Sequence, residues 1–314
     1  MTGHAMCTVA FMAFPHIACW LLCLPRKLSF AALLSWICTV SIVAAVLIVM
    51  ISVGIAGPQV PPGFEVKIVP VGKPTFIETV NAMLNIAFAF AGNQSFVSVM
   101  AEMRDASKDF PPALFMQKSF EVVVYMIVAC VIYAYAGDAV TSPALGSAPR
   151  LPAKIAYGII IPSVLGTGLV IGITAIKYIY VSLMRRTKPQ HINTHNRWTW
   201  TVWVAIGTIF WIVTFVVSNA IPIFSSILSI SAAIFVSWFT FGLTSIFWIH
   251  LNWGRQFSTP RKTALAILNW SIMGFTIFLN VGGLYSSLKV LIDIFNDPNS
   301  GLNGPFTCGD NSIF

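Results

Sequence analysis

The residues with the most chemical potential lie between Asn81 and Met100, which reads NAMLNIAFAFAGNQSFVSVM. Asn81 and Asn85 are four positions apart and share one face of a helix. The run Phe88-Ala89-Phe90-Ala91-Gly92-Asn93-Gln94-Ser95 then sets a flexible glycine and three polar side chains inside an apolar stretch. A regular helix facing lipid gains nothing from them, because helix propensity falls and the amides must find partners. Breaking the helix at Gly92 frees carbonyls at the end of one half and N–H groups at the start of the next. Such ends coordinate an ammonium, a carboxylate or an ion, and backbone of this kind is tolerated at membrane depth only where it lines a cavity. An amino acid zwitterion carries both charges. The competing reading is that Gly92, Asn93 and Gln94 glue close helix packing, as small and polar residues do in bundles.

Other candidates are weaker. Pro162, Ser163, Gly166, Thr167, Gly168 and Gly172 form a small-residue face, on which Ser163 and Thr167 offer hydroxyls to an ion; close helix packing is the simpler explanation. His16, beside Pro15, is titratable, although a hydrogen-bonded packing histidine is the commoner case. Lys177 snorkels to an interface, and Glu78 and Glu121 sit near span ends where a carboxylate is cheap. His191 and His195 are four apart, but no Cys or carboxylate cluster accompanies them, so no metal or cofactor is expected. The Asn93-Gln94-Ser95 sequon lies at membrane depth, out of reach of glycosylation. Trp198, Trp200 and Trp203 read as an aromatic belt at an interface. There is no Gly-x-Ser-x-Gly elbow, no His-Glu-x-x-His and no Asp pair at membrane depth, so an enzyme is not expected.

The elements that must position these residues are membrane spans. Of 314 residues, 57% are apolar and 9% charged, too little polar surface for a soluble globule. Apolar runs predict an all-α integral membrane protein with about eight spans, near 5–24, 28–56, 76–100, 119–137, 154–184, 198–218, 220–250 and 264–290. The break between the sixth and seventh falls at Ser218-Asn219-Ala220-Ile221-Pro222, where Asn and Pro favour a turn. Asp109 is the expected cap of the fourth helix, with Pro111-Pro112 in its first turn. The loop at 58–75 reads as extended, stiffened by Pro61-Pro62. Residues 1–295 form one transmembrane domain and 296–314 a short extracytoplasmic tail.

Alternating the loops places Arg26, Lys27, Arg104, Lys108, Lys118, Arg185, Arg186, Lys188, Arg197, Arg255, Arg261 and Lys262 on one side. Lys67, Lys73, Arg150, Lys154 and Lys289 fall on the other, and Lys177 stays inside a span. The positive-inside rule sets the larger group in the cytosol. The formal charge of +8 is scattered singly between spans, with no basic stripe for nucleic acid. Cys7, Cys19, Cys23, Cys38 and Cys130 lie in or beside spans as small hydrophobes, and only Cys308 sits in a polar tail, so no disulfide framework is read. The start Met1-Thr2-Gly3-His4 has no basic region and is not read as a signal peptide. Met1 then falls outside the cytosol, as expected for the later part of a longer protein.

A resemblance sharpens this picture. Phe-Ala-Phe-x-Gly-x-Gln at 88–94, Ala-Glu-Met-x-Asp at 101–105 and Lys-Asp-Phe-Pro-x-Ala-Leu at 108–114 resemble the sixth span and following loop of the amino acid/auxin permease family, most of all fungal neutral amino acid permeases. The Leu24-Pro25-Arg26 connector and the tail Pro305-Phe306-Thr307-Cys308 extend the resemblance along the chain. It implies spans four to eleven of a five-plus-five inverted-repeat transporter, with a complete second repeat at 76–250 and the first three spans absent. It implies secondary transport of neutral, aliphatic or aromatic, amino acids, coupled to protons, with substrate at Phe88, Ala89, Phe90, Ala91, Gly92, Asn93 and Gln94. Many of that family carry His where Asn93 stands, so proton coupling here needs another group. The expected setting is a multi-pass protein of the plasma membrane rather than the vacuolar membrane. Lacking spans one to three, the chain also fits a truncated, non-transporting partner, sensor or inactive remnant associated with a full-length permease.

Overall fold

Without water in a hydrocarbon core each span must satisfy its own backbone, and only helices do so segment by segment. The computed structural model describes residues 7–26, 29–60, 65–69, 72–191, 196–220, 224–296, 306 and 308, and among them no strand occurs. In chain order the helices are α1 Thr8–Leu22, α2 Ser29–Ala56, α3 Phe76–Ala89, α4 Phe96–Glu102, α5 Ala106–Ala136, α6 Arg150–Ile159, α7 Ile161–Thr187, α8 Arg197–Ala220, α9 Phe224–Ser231, α10 Leu243–Leu251 and α11 Pro260–Asn296. Six helical stretches, Leu34–Ala56, Ala106–Ala139, Arg150–Thr187, Arg197–Ala220, Ser225–Leu251 and Pro260–Asn296, are long and apolar enough to cross a membrane. Val9–Leu22 and Phe76–Ala89 are shorter apolar helices. All eight expected spans therefore coincide with apolar helix.

The helices gather into two compact units. The first holds α1, α2, α5, α6, α7 and α8. Its core is built twice over. Cys23, Leu169, Ile173, Ile176, Tyr180, Met184 and Trp203 join α1, α7 and α8. Ala45, Val49, Val53, Ile132, Ala136, Ala148, Ala153 and Ala156 join α2 to α5, α6 and the turn before α6. The glycines of α7 let these helices approach. A Cβ on Gly168 would lie 2.8 Å from Cys19 Sγ, and one on Gly172 would lie 2.9 Å from both Cys23 Sγ and the Trp211 ring. The small-residue face is thus filled by Cys19 of α1, by Cys23 at its end and, at Gly166, by Cys38 of α2, whose thiols pack as small hydrophobes.

The second unit holds α3, α9, α10 and α11. Val80, Leu84 and Ala87 of α3 recur at helical spacing and pack with Ala232, Ala233 and Val236, and with Leu279 of α11. Residues Ala232–Gly242, between α9 and α10, are wound as a π-helix, which periodicity did not foretell. Asn280 of α11 donates its amide N–H to the Ala233 carbonyl at 2.9 Å, supporting that wider winding.

Four sequence expectations need correction. Helix α5 starts a turn before Asp109, because Asp105 caps it by accepting from the Lys108 amide at 3.3 Å. Pro111 and Pro112 consequently lie inside the helix. The fifth span is two helices meeting at Ile160, just before Pro162. Trp203 is 2% exposed and belongs to the core, while Trp198 and Trp200 are 43% and 39% exposed. The reason is helical spacing: Thr199, Trp203 and Gly207 face inward at four-residue intervals. Finally, Cys7 and Cys308 form a disulfide across 301 positions. Helix α8 runs on through Asn219 to Ala220; the expected break at Pro222 lies outside the described residues, as do Pro61 and Pro62.

Candidate functional site

The approach to the site is set by a strong helix start. Thr75 and Glu78 form a reciprocal capping box, with Thr75 N–H donating to Glu78 Oε2 at 2.8 Å and Glu78 N–H to Thr75 Oγ1 at 3.4 Å. Glu78 is thus occupied as a cap. Glu121 pairs with Lys118 at 2.8 Å. Along α3, Asn81 bonds Ser286 Oγ at 2.8 Å and its own Ile77 carbonyl at 2.9 Å. Ser286 donates to the same Ile77 carbonyl, and Ser287 donates to Asn81 Oδ1 at 3.4 Å. Ser229 of α9 donates to Asn85 Oδ1 at 3.4 Å. The two asparagines therefore anchor α3 to α9 and α11 through polar contacts.

Regular α-helix ends at Ala89. Phe90, at φ −96° and ψ 12°, leads into 3₁₀ winding over Ala91–Ser95, and α4 resumes at Phe96. Such a change in mid-span replaces i→i+4 bonds with tighter, poorer ones and re-aims the carbonyls. Phe88 and Ala91 lie against the apolar cluster of the second unit. Ala89 and Gly92 are exposed, and Phe90 and Asn93 are half-buried. A Cβ on Gly92 would meet nothing within 4 Å. Asn93 Oδ1 is buried, and among the described residues no donor reaches it. An unsatisfied buried amide oxygen is a standing demand for a donor such as an ammonium N–H. Gln94 lies in the 3₁₀ stretch, its side chain outside the described part.

Ser163 and Thr167 lie in the first unit, on α7, whereas Phe88 to Gln94 lie in the second. Thr167 Oγ1 donates to the Ser163 carbonyl at 2.9 Å, and Ser163 is buried. Sequence reasoning missed the arginine cluster that closes the first unit. Arg26 donates to the Thr199 carbonyl and lies over the rings of Tyr180, Trp200 and Trp203 at 5.1, 5.0 and 5.5 Å. Trp203 Nε1 donates to Leu24 O at 3.1 Å, so the Leu24-Pro25-Arg26 connector is a structural clasp on α8.

No solved structure matches the chain. It is 28% identical over its whole length to a protein named transmembrane transporter from Fusarium pseudograminearum, covering 66% of that relative. It is also 28% identical, over 98% of its length, to the N amino acid transport system protein of Neurospora crassa, covering 65% of it. The chain thus spans just under two thirds of these relatives. The model of the family described as transmembrane amino acid transporter protein matches residues 1–289, nearly the whole chain. With a helical membrane architecture and a match of that extent, the chain belongs to the transmembrane amino acid transporter family.

Proposed function

We propose that this chain serves secondary transport of neutral amino acids, coupled to protons, with substrate held at the interruption around Gly92. The observation that carries the reading is the 3₁₀ stretch Ala91–Ser95, with open space over Gly92 and a buried Asn93 Oδ1 lacking a donor. A neutral substrate is supported by the composition of the stretch Ala91–Ser95, which carries no charged side chain to pair with a charged substrate side chain. Phe88 and Phe90 supply apolar surface beside the backbone, and Ser163 and Thr167 are assigned to the ion path. The two units act as one transport domain in the plasma membrane. In permease-deficient cells, saturable uptake of a labelled neutral amino acid by this protein is expected to be abolished by Gly92→Leu. Unchanged uptake and an unchanged competition profile would exclude the site.

A second reading is a non-transporting partner of a longer permease, favoured by the coverage of only 66% and 65% of the relatives' lengths. Co-purification with a longer relative, and no uptake by the chain alone, would support it. Uptake by the purified chain in liposomes would remove it.

A further inference from the structure

Away from the Gly92 stretch, the histidine of α1, His16, lies in the wall made by α1 and α8. His16 Nδ1 lies 2.7 Å from the Met12 carbonyl, one turn earlier on α1. A carbonyl only accepts, so Nδ1 carries a hydrogen in every protonation state. Nε2 is left facing Ser218 Oγ of α8 at 3.4 Å. Ser218 Oγ in turn lies 3.0 Å from the Phe215 carbonyl. The ring is held edge-to-face against Trp211 and Phe215, with centroids 6.0 and 5.3 Å away, so it is not free to turn from this line.

A hydroxyl has one hydrogen and two lone pairs, and this gives the row two complete arrangements. When His16 is neutral, Ser218 turns its hydrogen toward Nε2. When His16 is protonated, Nε2–H donates to Ser218 Oγ, and the hydroxyl turns its hydrogen to the Phe215 carbonyl. A proton gained at Nε2 therefore costs no hydrogen bond. A histidine that merely packs needs only one of these arrangements, and a buried ring with a fixed acceptor or a fixed donor supports only one.

The surroundings allow loading. His16 is half-buried and borders a cavity of about 330 Å³ shared with Trp20, Thr208, Trp211 and Phe215. The ring is therefore not sealed inside the packed core. Titratable neighbours are few. On α1 they are Cys19 and Cys23, whose thiols face Gly168 and Gly172 of α7. The α8 stretch from Thr208 to Ser218 contains none, and α7 contains none from Ile161 to Ile176, Lys177 being its first. No described carboxylate competes for the proton there.

We propose that His16, with Ser218 as its hydroxyl relay, is a proton-binding site in the α1–α8 wall. The inference goes beyond the substrate reading and stands or falls separately, because it is read without substrate. The test is nitrogen NMR of the whole chain, labelled with isotopic histidine and reconstituted in lipid bilayers, across about pH 5 to 8. The His16 signal is identified as the one lost in His16→Gln, and the Cys7–Cys308 bond serves as the control that variants keep their fold. The expected result is a neutral Nδ1–H tautomer at high pH and a doubly protonated ring at low pH. In Ser218→Ala the neutral tautomer is kept and the Nε2 resonance shifts, because its hydrogen-bond partner is gone. A His16 that stays neutral over the whole range, or an Nε2 resonance indifferent to Ser218→Ala, overturns the proposal.

Discussion

Asn93 shows how one atom can define a candidate site. Its amide oxygen is buried with no donor among the described residues, and a buried acceptor left unmatched carries a cost of about 1–3 kcal/mol. A substrate ammonium that satisfies it recovers that cost and adds a charge-assisted bond. Asn93→Ala is accordingly expected to raise the KM for amino acid uptake by about ten-fold or more while leaving protein abundance unchanged. An unaltered KM would move the ammonium contact elsewhere. The sequence marked Asn93 as out of place in a span, because a polar side chain there needs a reason. It did not say which atom lacks a partner, since that depends on where neighbouring helices put their donors. Asn81 makes the contrast: it lies in the same segment, sharing a helix face with Asn85, yet Ser286 and Ser287 of α11 occupy it.

At the scale of elements, residues 67–69 of the connector after α2 are tied to the end of α5. Lys67 N–H donates to Asp138 Oδ1 at 3.0 Å, and Asp138 N–H donates back to Lys67 O at 3.1 Å. Tyr133 adds a bond from its hydroxyl to Val69 O at 2.9 Å. The approach is close enough that Gly137 is required: its φ is +51°, and a Cβ would lie 2.5 Å from Lys67 O. Gly137→Ala is therefore expected to lower stability by about 1–3 kcal/mol, read as a fall in unfolding midpoint. It should also speed hydrogen exchange at the Lys67 and Asp138 amides. Loss of exchange protection without loss of stability would make the strap an ornament rather than a tie. Packing at α7 admits a similar test. Gly172→Leu forces a side chain against Cys23 and Trp211 and is expected to cost about 1–3 kcal/mol or more, whereas Gly92→Leu, facing open space, leaves stability unchanged. The helices themselves were legible from apolar run length. The π winding of Ala232–Gly242 and the burial of Trp203 were not, because both follow from what α11 and the Arg26 connector press against them.

For the whole molecule, orientation and covalent structure meet in the tail. Loop charges put the residues before α1 and after α11 on the side opposite the basic loops, and the Cys7–Cys308 disulfide joins those two places. Disulfides persist in oxidising compartments, so the bond and the charge bias argue independently for the same face. A membrane-impermeant maleimide added to intact cells is expected to label Cys308 only after mild reduction, with Cys308→Ser as the control. Labelling that requires permeabilised cells would reverse the orientation. The amino-acid sequence by itself determined the membrane class, where the apolar helices lie along the chain, and the family. These follow from local quantities: how long an apolar run is, where charges and prolines interrupt it, and which motif residues stand at 88–114. Tertiary structure alone decided which cysteines bond, which asparagine keeps an unmatched oxygen, and that His16 faces a hydroxyl able to answer it in either protonation state. The disulfide and the His16–Ser218 contact join atoms from positions 301 and 202 residues apart, and no local pattern encodes such a meeting.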